Sequence, residues 1–238
     1  KITNLITDDL KIDAETASSF LNIGNDYCGQ GNYDKAMEYY KKSYEIYNKL
    51  YANNLNHPDI AYCLLGIGLA YKNKGDYEKA LENNEKSYEI LKKVHASNLN
   101  HVDIAYCLNN IGNVYYNKGE NDKALEYYEK AFEIYKSIYG DDQFHPDIAK
   151  SLNNIGLVYK NKCDYDKALE SFNKSYEIYK MIYADNPNNA QIAFSLNNIG
   201  GVYVERAEFE KALEYLEKSY EIKKIVYADN PNHPHLTS

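Results

Sequence analysis

The chain has 238 residues, of which 44% are hydrophobic and 26% are charged, and its formal net charge is −8. This composition is typical of a globular protein and excludes a long disordered chain. The sequence shows no basic face that would neutralise phosphates, so nucleic-acid binding is disfavoured. No apolar run reaches the roughly 18 residues that a membrane-spanning helix needs, and no signal segment opens the chain. We therefore expect no membrane insertion.

The sequence is dominated by an internal repeat of 44 residues. Five segments align without gaps: IDAETASSFLNIGNDY from Ile12, HPDIAYCLLGIGLAY from His57, HVDIAYCLNNIGNVY from His101, HPDIAKSLNNIGLVY from His145 and NAQIAFSLNNIGGVY from Asn189. A gapless period of this length indicates stacked supersecondary units. We expect the tail of a preceding repeat at 1–12 and the start of a truncated sixth at 233–238, so that the chain is an excerpt. Between them lie five repeats, at 13–56, 57–100, 101–144, 145–188 and 189–232.

Each repeat is predicted to form two helices. In the third repeat, apolar residues recur at i, i+4, i+7 and i+11, as on one face of a helix: Ile104, Leu108, Ile111 and Tyr115. A turn containing Gly119 follows, and a second apolar face comes after it: Ala124, Tyr128, Ala131, Tyr135 and Ile138. Second helices are predicted to be capped by Asn32, Asp76 and Asp164. Pro58 and Pro146 suit the first turn of first helices.

Small residues recur inside the predicted helices. Glycine occupies one mid-helix place in all five repeats: Gly24, Gly68, Gly112, Gly156 and Gly200. Because such a glycine costs about 1 kcal/mol relative to alanine, its recurrence predicts close approach of the partner helix. Alanine follows twelve residues later in each repeat: Ala36, Ala80, Ala124, Ala168 and Ala212. Tyrosine follows the glycine by three residues and is expected to fill the space between hairpins: Tyr27, Tyr71, Tyr115, Tyr159 and Tyr203.

This pattern resembles the tetratricopeptide repeat family. The long period and the H-P-D-I-A…L-N-N-I-G wording are similar to its kinesin light chain-like subclass. The resemblance implies an all-α fold, a right-handed superhelical α-solenoid of stacked antiparallel hairpins, with first helices lining a concave surface. The sequence departs from the pattern at Asn84, Asn121, Cys163 and Ala207, which replace packing or turn residues.

Catalysis and metal binding are not expected. The four cysteines, Cys28, Cys63, Cys107 and Cys163, form no C-x-x-C pair and are interpreted as reduced thiols of a cytoplasmic protein. Histidine recurs at one position of the 44-residue period, at His57, His101, His145 and His233. A metal ladder and a loop-to-helix junction are the two interpretations of this column, and we favour the junction. No nucleophile with a base, and no phosphate loop, is found. The sequence therefore predicts a protein that is not an enzyme and has no cofactor.

The candidate binding site is the face of the first helices opposite their core stripe. In the third repeat this face carries Tyr106, Asn110, Asn113 and Asn117. Asparagine offers both donors and an acceptor, so a ladder of amides can hold an extended peptide backbone while aromatic residues supply specificity. The resemblance to kinesin light chain-like arrays implies such a ladder at Asn22, Asn110, Asn154 and Asn198, which Gly66 interrupts. The full set of predicted peptide-binding residues is Asn22, Asn25, Tyr62, Tyr106, Asn109, Asn110, Asn113, Asn117, Lys150, Asn153, Asn154, Phe194, Asn197 and Asn198.

Two functions remain open at this stage. The first is a non-catalytic scaffold that binds a peptide segment of a partner protein in the concave groove. The alternative is a regulatory or oligomerisation module of a larger multidomain protein, with a homo-oligomer formed through exposed array ends. The alternative to the first function is that asparagine is abundant in this chain and the stripe only solvates an exposed face, without binding a ligand.

Overall fold

The computed structural model describes residues 13–140 and 144–228, and these residues form ten α-helices and no strand. The helices are α1 (Ala14–Gly29), α2 (Tyr33–Leu50), α3 (Pro58–Asn73), α4 (Tyr77–Val94), α5 (Val102–Asn117), α6 (Asn121–Tyr139), α7 (Pro146–Asn161), α8 (Tyr165–Ile182), α9 (Ala190–Glu205) and α10 (Phe209–Val226). The odd-numbered helices begin 44 residues apart, as the repeat predicts. The predicted partial repeats at 1–12 and 233–238 lie outside the described residues.

The chain divides into two compact units, unit 1 (Lys1–Glu120) and unit 2 (Asn121–Ser238). In unit 1, α1 pairs with α2 and α3 with α4, while α2 packs on α3 and α4 on α5. In unit 2, α7 pairs with α8 and α9 with α10, while α6 packs on α7 and α8 on α9. Neighbouring odd-numbered helices also touch within each unit, which places them side by side on one face. The predicted all-α fold of stacked helical hairpins is confirmed.

Local capping sets the helix starts where the sequence predicts them. Asn32, Asp76 and Asp164 each accept a hydrogen bond from the backbone N–H three residues later. Pro58 and Pro146 are the first residues of α3 and α7, where a missing N–H costs nothing. Short connections between tightly capped helices force each pair into an antiparallel hairpin.

The turns inside the hairpins differ between the units. Gly31, Gly75 and Gly119 in unit 1 have φ of 75°, 82° and 81°. Cys163 and Ala207 take the same place in unit 2 with φ of 58° and 57°. Because a Cβ clashes in the left-handed region, each of these two residues carries about 1 kcal/mol of strain.

The recurrent mid-helix glycines make room for a large side chain of the partner helix. A methyl group at Gly24 would lie 2.6 Å from Cδ1 of Tyr40, and one at Gly156 would lie 2.7 Å from Cδ1 of Phe172. At Gly200 the neighbours are Leu216 and, at 3.3 Å, the backbone oxygen of Ala212. The predicted close approach is therefore present, but it is made mainly by the residue sixteen positions after the glycine.

A buried serine also ties the two helices of four hairpins together. Its hydroxyl donates to a backbone carbonyl 26 residues earlier, over 2.7 to 2.9 Å. The four pairs are Ser43 with Ala17, Ser87 with Ala61, Ser175 with Ala149, and Ser219 with Ala193. Each satisfied hydroxyl fixes how far the second helix slides along the first, because the bond tolerates little displacement.

Candidate functional site

The predicted binding face points away from the core. In α5 the core residue Ile104 is 2% exposed, whereas Tyr106, two residues later, is 44% exposed. Phe194 of α9 is 46% exposed. Exposed aromatic rings on rigid helices are available to a ligand at little entropic cost.

Unit 1 contains a cavity of about 180 Å³, here called the unit 1 groove. It is lined by Leu21, Asn25, Tyr62, Leu65, Gly66, Leu69, Tyr106 and Asn110. Four of these residues belong to the predicted set, namely Asn25, Tyr62, Tyr106 and Asn110. The others are apolar or glycine, so this groove is an aromatic and aliphatic surface with two amides in its lining.

Tyr40 explains why the amide ladder is interrupted at Gly66. A methyl group on Gly66 would lie 2.7 Å from Cε1 of Tyr40, so the ring occupies the space that a side chain would need. The hydroxyl of Tyr40 donates to Oδ1 of Asn25 over 2.9 Å. Burial raises the pKa of Tyr40, which keeps this donor protonated at neutral pH. This bond engages the amide oxygen of Asn25 and not its amide nitrogen.

The polar groups of Tyr62 and Asn110 have partners inside unit 1. Tyr62 donates its hydroxyl to Oδ1 of Asp103 over 2.6 Å, and burial together with this bond raises the pKa of Tyr62. Asn110 donates from Nδ2 to the backbone oxygen of Tyr106 over 2.9 Å. These bonds hold the two side chains in place where they line the unit 1 groove.

Unit 2 contains a larger cavity of about 400 Å³, here called the unit 2 groove. It is lined by Pro146, Asp147, Lys150, Asn153, Asn154, Tyr179, Tyr183, Gln191, Phe194 and Ser195. Four of these were predicted: Lys150, Asn153, Asn154 and Phe194. Tyr179 and Tyr183 were not among the predicted binding residues, because the predicted stripe lies on the first helices alone. Tyr179 belongs to the second helix α8, and Tyr183 directly follows it. Burial raises the pKa of Tyr179 to about 12, so its hydroxyl stays protonated at neutral pH.

Some predicted amides bond to other side chains of the protein. Asn198 donates from Nδ2 to Oδ1 of Asn153 over 2.6 Å, joining α9 to α7. Nζ of Lys223 donates to Oδ1 of Asn197 over 3.5 Å. Lys223 is only 5% exposed, and burial lowers its pKa. Asn197 and Asn198 thus help to position the groove wall, while Asn153 and Asn154 line the cavity itself.

The remaining predicted residues line neither groove. Asn22 and Asn117 are exposed, and Asn113 is half-buried. Asn109 is only 5% exposed, and its Oδ1 has no hydrogen-bond partner within the described residues. Asn109 therefore lies largely inside the protein, where an approaching peptide would not reach it.

The described residues of the histidine column, His57, His101 and His145, lie at the junctions between repeats, as expected, and His233 lies outside the described residues. Nδ1 of His57, His101 and His145 each accepts the backbone N–H two residues later, so that the imidazole caps the following helix. Tyr51 stacks on His57 with ring centroids 3.6 Å apart and donates to Oδ2 of Asp59 over 3.0 Å. At the junction before α5, a second histidine, His95, replaces this tyrosine. His95 was not among the predicted junction residues, because it lies outside the 44-residue histidine column.

The cysteines offer little reactivity in the core. All four are free thiols. Cys63 and Cys107 are buried, and burial raises the pKa of each thiol to about 12, so neither is a nucleophile at neutral pH. Cys28 is half-buried and Cys163 is exposed at its turn. Cys163 is therefore not a packing residue, unlike Cys63 and Cys107.

Comparison with protein families identifies the repeat. Models described as tetratricopeptide repeat match residues 15–93, 103–181 and 194–235. The chain belongs to the tetratricopeptide repeat family. Proteins of this family act generally as scaffolds for protein interaction and are typically not catalytic. No curated protein sequence matches the chain.

Solved tetratricopeptide repeat structures share the fold. BtubC (BKLC) from P. vanneervenii superposes with a TM-score of 0.72 at 20% identity, covering 95% of this chain and 85% of that one. The nearly identical repeats of a putative kinesin light chain from Podosopora anserina give 0.66 at 18% identity, covering 90% and 98%. PilF of Pseudomonas aeruginosa gives 0.57 at 20% identity, covering 87% and 75%. The predicted tetratricopeptide array is confirmed, and kinesin light chain-like repeats are among the structures that it resembles. No helix of the described residues has the length and apolar character to span a membrane.

Proposed function

We propose that this tetratricopeptide array binds an extended peptide segment of a partner protein, with the unit 1 groove and the unit 2 groove each a candidate binding surface. The observation that supports the proposal most is the lining of the unit 2 groove, where Lys150, Asn153, Asn154 and Phe194 converge on one cavity of about 400 Å³. A peptide ligand needs backbone donors and acceptors beside a pocket for one or two side chains. Amides and an aromatic ring supply both.

Neighbouring charges favour a peptide over a small anion. Lys150 and Asp147 lie on the same cavity, so its wall offers one group of each sign. A terminal carboxylate or a phosphate would be held by several cations, whereas Lys150 is the only cationic side chain among the residues that line this groove. The groove is therefore suited to an internal peptide segment with mixed polar and apolar side chains.

The experiment compares two matched double variants. A short peptide is first selected from a displayed random library on the wild-type chain, and its affinity is measured by fluorescence polarisation. Asn110→Ala with Asn154→Ala removes one amide from each groove and is expected to weaken binding by about tenfold to a hundredfold, because each hydrogen bond contributes about 1 kcal/mol. The control, Asn83→Ala with Asn173→Ala, removes two amides from second helices and should bind normally.

Two results would refute the proposal. One is unchanged affinity in the groove variant, with its helical circular dichroism and unfolding midpoint preserved. The other is an equal loss in the control variant, which would show that the amides act on the array as a whole rather than on the ligand.

A second candidate function is self-association, which the outer face of α10 favours. Phe209, Leu213 and Tyr220 are 63%, 58% and 49% exposed. Apolar groups at this density on one helix are common at protein interfaces. Light scattering separates the two functions, because a stable dimer that Phe209→Ser dissociates, without changing peptide affinity, supports self-association as an additional role.

A further inference from the structure

The junction that precedes α5 differs from the junctions before α3 and α7 in one side chain. At the junctions before α3 and α7, a tyrosine stacks on the capping histidine and donates to the following aspartate: Tyr51 with His57 and Asp59, and Tyr139 with His145 and Asp147. Before α5 the corresponding three residues are His95, His101 and Asp103. Two imidazoles and one carboxylate therefore meet where the junctions before α3 and α7 have one imidazole, one phenol and one carboxylate.

The donor atoms of this cluster are close together. Nε2 of His95 lies 2.8 Å from Oδ2 of Asp103, and Nδ1 of His101 lies 3.3 Å from the same oxygen. All three donor atoms lie within 4.8 Å of one another. Tetrahedral zinc sites have metal–nitrogen and metal–oxygen bonds of about 2.0 to 2.2 Å, which place neighbouring ligand atoms roughly 3.3 Å apart. Two of the three separations are thus already near the value that a bound ion requires.

The carboxylate is held in position by a partner outside the cluster. Tyr62 donates to Oδ1 of Asp103 over 2.6 Å, so that Oδ2 is the oxygen directed at both histidines. Hydrogen-bonded carboxylates of this kind are common around metal ligands, because the outer bond fixes their orientation. The side chains of His95 and Asp103 are 17% and 16% exposed, which reduces competition from water while leaving a path for an ion.

We propose that His95, His101 and Asp103 bind one late first-row divalent cation, with zinc as the representative ion. Imidazole and carboxylate ligands together favour this class over magnesium or calcium, which prefer oxygen ligands alone. Binding requires the neutral imidazole of His95 to carry its proton on Nδ1, leaving Nε2 for the ion. It also exchanges the bond between Nδ1 of His101 and the N–H of Asp103 for a metal bond. The two rings, now stacked 3.5 Å apart, turn so that their lone pairs meet at the ion, and water completes the coordination.

The repeats supply replacements that keep the junction intact. Tyrosine stands at 51 and 139 in place of His95, and it retains both the stacking and the bond to the aspartate. Asparagine stands at 189 in place of His101, and its Oδ1 still caps the helix by accepting from the N–H of Gln191 over 2.8 Å. His95→Tyr and His101→Asn therefore remove one metal ligand each without removing the local structure.

The test is titration calorimetry with ZnCl2 at neutral pH on the tag-free chain. The parent chain for this test carries Cys163→Ser, and so do all variants, because that exposed thiol could bind zinc by itself. The parent is expected to bind one ion, and His95→Tyr and His101→Asn should each lose about tenfold or more in affinity. His57→Asn and His145→Asn, at the junctions with a single imidazole, should bind as the parent does.

Three outcomes would overturn the proposal: no zinc binding by the parent, unchanged affinity in His95→Tyr or His101→Asn, or an equal loss in His57→Asn and His145→Asn. Circular dichroism of each variant shows whether the array has kept its helices. Because the variants use residues that other repeats hold at the same places, a loss of binding with preserved helix content assigns the ion to this cluster.

Discussion

The two grooves use the same repeat positions for different chemistry. In the unit 1 groove, one first helix presents Tyr62, Leu65 and Gly66, and in the unit 2 groove the residues 88 positions later are Lys150, Asn153 and Asn154. The first set is aromatic and apolar, whereas the second carries a charge and two amides. A fixed hairpin geometry thus lets three side chains per repeat change the ligand surface without changing the fold.

The two units can also be compared in the buried second-helix residue that stands before each groove position. In unit 1, the buried ring of Tyr40 fills the space beside Gly66 and sends its hydroxyl to Asn25. In unit 2 two buried residues take the place of Tyr40: Tyr128, which precedes Asn154 by the same 26 positions, and Phe172, which has no hydroxyl and precedes Asn198 by 26 positions. A buried tyrosine thus precedes glycine at 66 and asparagine at 154, so the type of the core residue alone does not decide whether the groove position carries a side chain.

The largest expected effect comes from exchanging residue types between the grooves. Leu65 is 5% exposed, so Leu65→Asn should lower the free energy of unfolding by about 3 kcal/mol, through lost burial and a newly buried amide. Asn153→Leu in the half-buried equivalent position should change it by about 1 kcal/mol or less, since only the bond from Asn198 is lost. Urea unfolding followed by circular dichroism measures both. Equal effects would show that the two positions have the same environment after all.

The next effect tests the space beside Tyr40. Gly66→Ala places a methyl group 2.7 Å from the buried ring and should destabilise the chain by about 2 kcal/mol. Gly201→Ala is the control, because its methyl group would meet only the flexible end of Lys160 at 3.2 Å. That control should be neutral or stabilise by up to about 1 kcal/mol through helix propensity. Thermal unfolding of the two variants measures both changes in stability. A stabilising Gly66→Ala would contradict the account that the Tyr40 ring fills the space beside Gly66.

A smaller effect concerns the hairpin turns, where unit 1 has glycine and unit 2 does not. Cys163→Gly and Ala207→Gly should each stabilise the chain by about 1 kcal/mol, because glycine relieves the left-handed strain at φ of 58° and 57°. Gly75→Ala, at φ of 82°, is the reverse change and should destabilise by a similar amount. Chemical denaturation provides the values, and hydrogen exchange shows whether the gain is confined to unit 2. No change in either glycine variant would mean that the strain is absent.

The smallest effect is expected where the units agree. Ion pairs join successive repeats on the turn side, Asp34 with Lys74 in unit 1 and Asp122 with Lys162 in unit 2. Both aspartates are highly exposed, so Lys74→Ala and Lys162→Ala should each cost less than about 0.5 kcal/mol, with the difference vanishing in high salt. A loss above about 1 kcal/mol in either variant, measured at low and high salt, would show that these pairs stabilise the stacking.

The sequence predicted local features well. The capping roles of Asn32, Asp76 and Asp164 followed from residue type and position, and each makes the expected bond. The interpretation of the histidine column as junction residues is confirmed for His57, His101 and His145, whose imidazoles cap α3, α5 and α7. Such features depend on residues two or three positions apart, where the chain itself fixes the distance.

The candidate site was predicted less completely. Tyr179, Tyr183 and Gln191 line the unit 2 groove although the stripe on first helices did not include them. Asn109 was predicted as a binding residue beside that stripe, yet it is almost fully buried. Helical periodicity gives the direction of a side chain from its own helix, but it does not show which neighbouring helix covers it.

The sequence by itself determined the helices, their pairing into hairpins and their stacking. A gapless period of 44 residues places the same helix, turn and packing residues at the same positions five times. Only the tertiary structure decided which amides line a cavity, which are tied to other side chains, and where two histidines share a carboxylate. The bond from Asn198 to Asn153 joins residues 45 positions apart, and the Tyr62 bond to Asp103 joins residues 41 apart. Such contacts depend on how neighbouring hairpins pack, since the angle and offset between hairpins are set by whole side chains filling shared space.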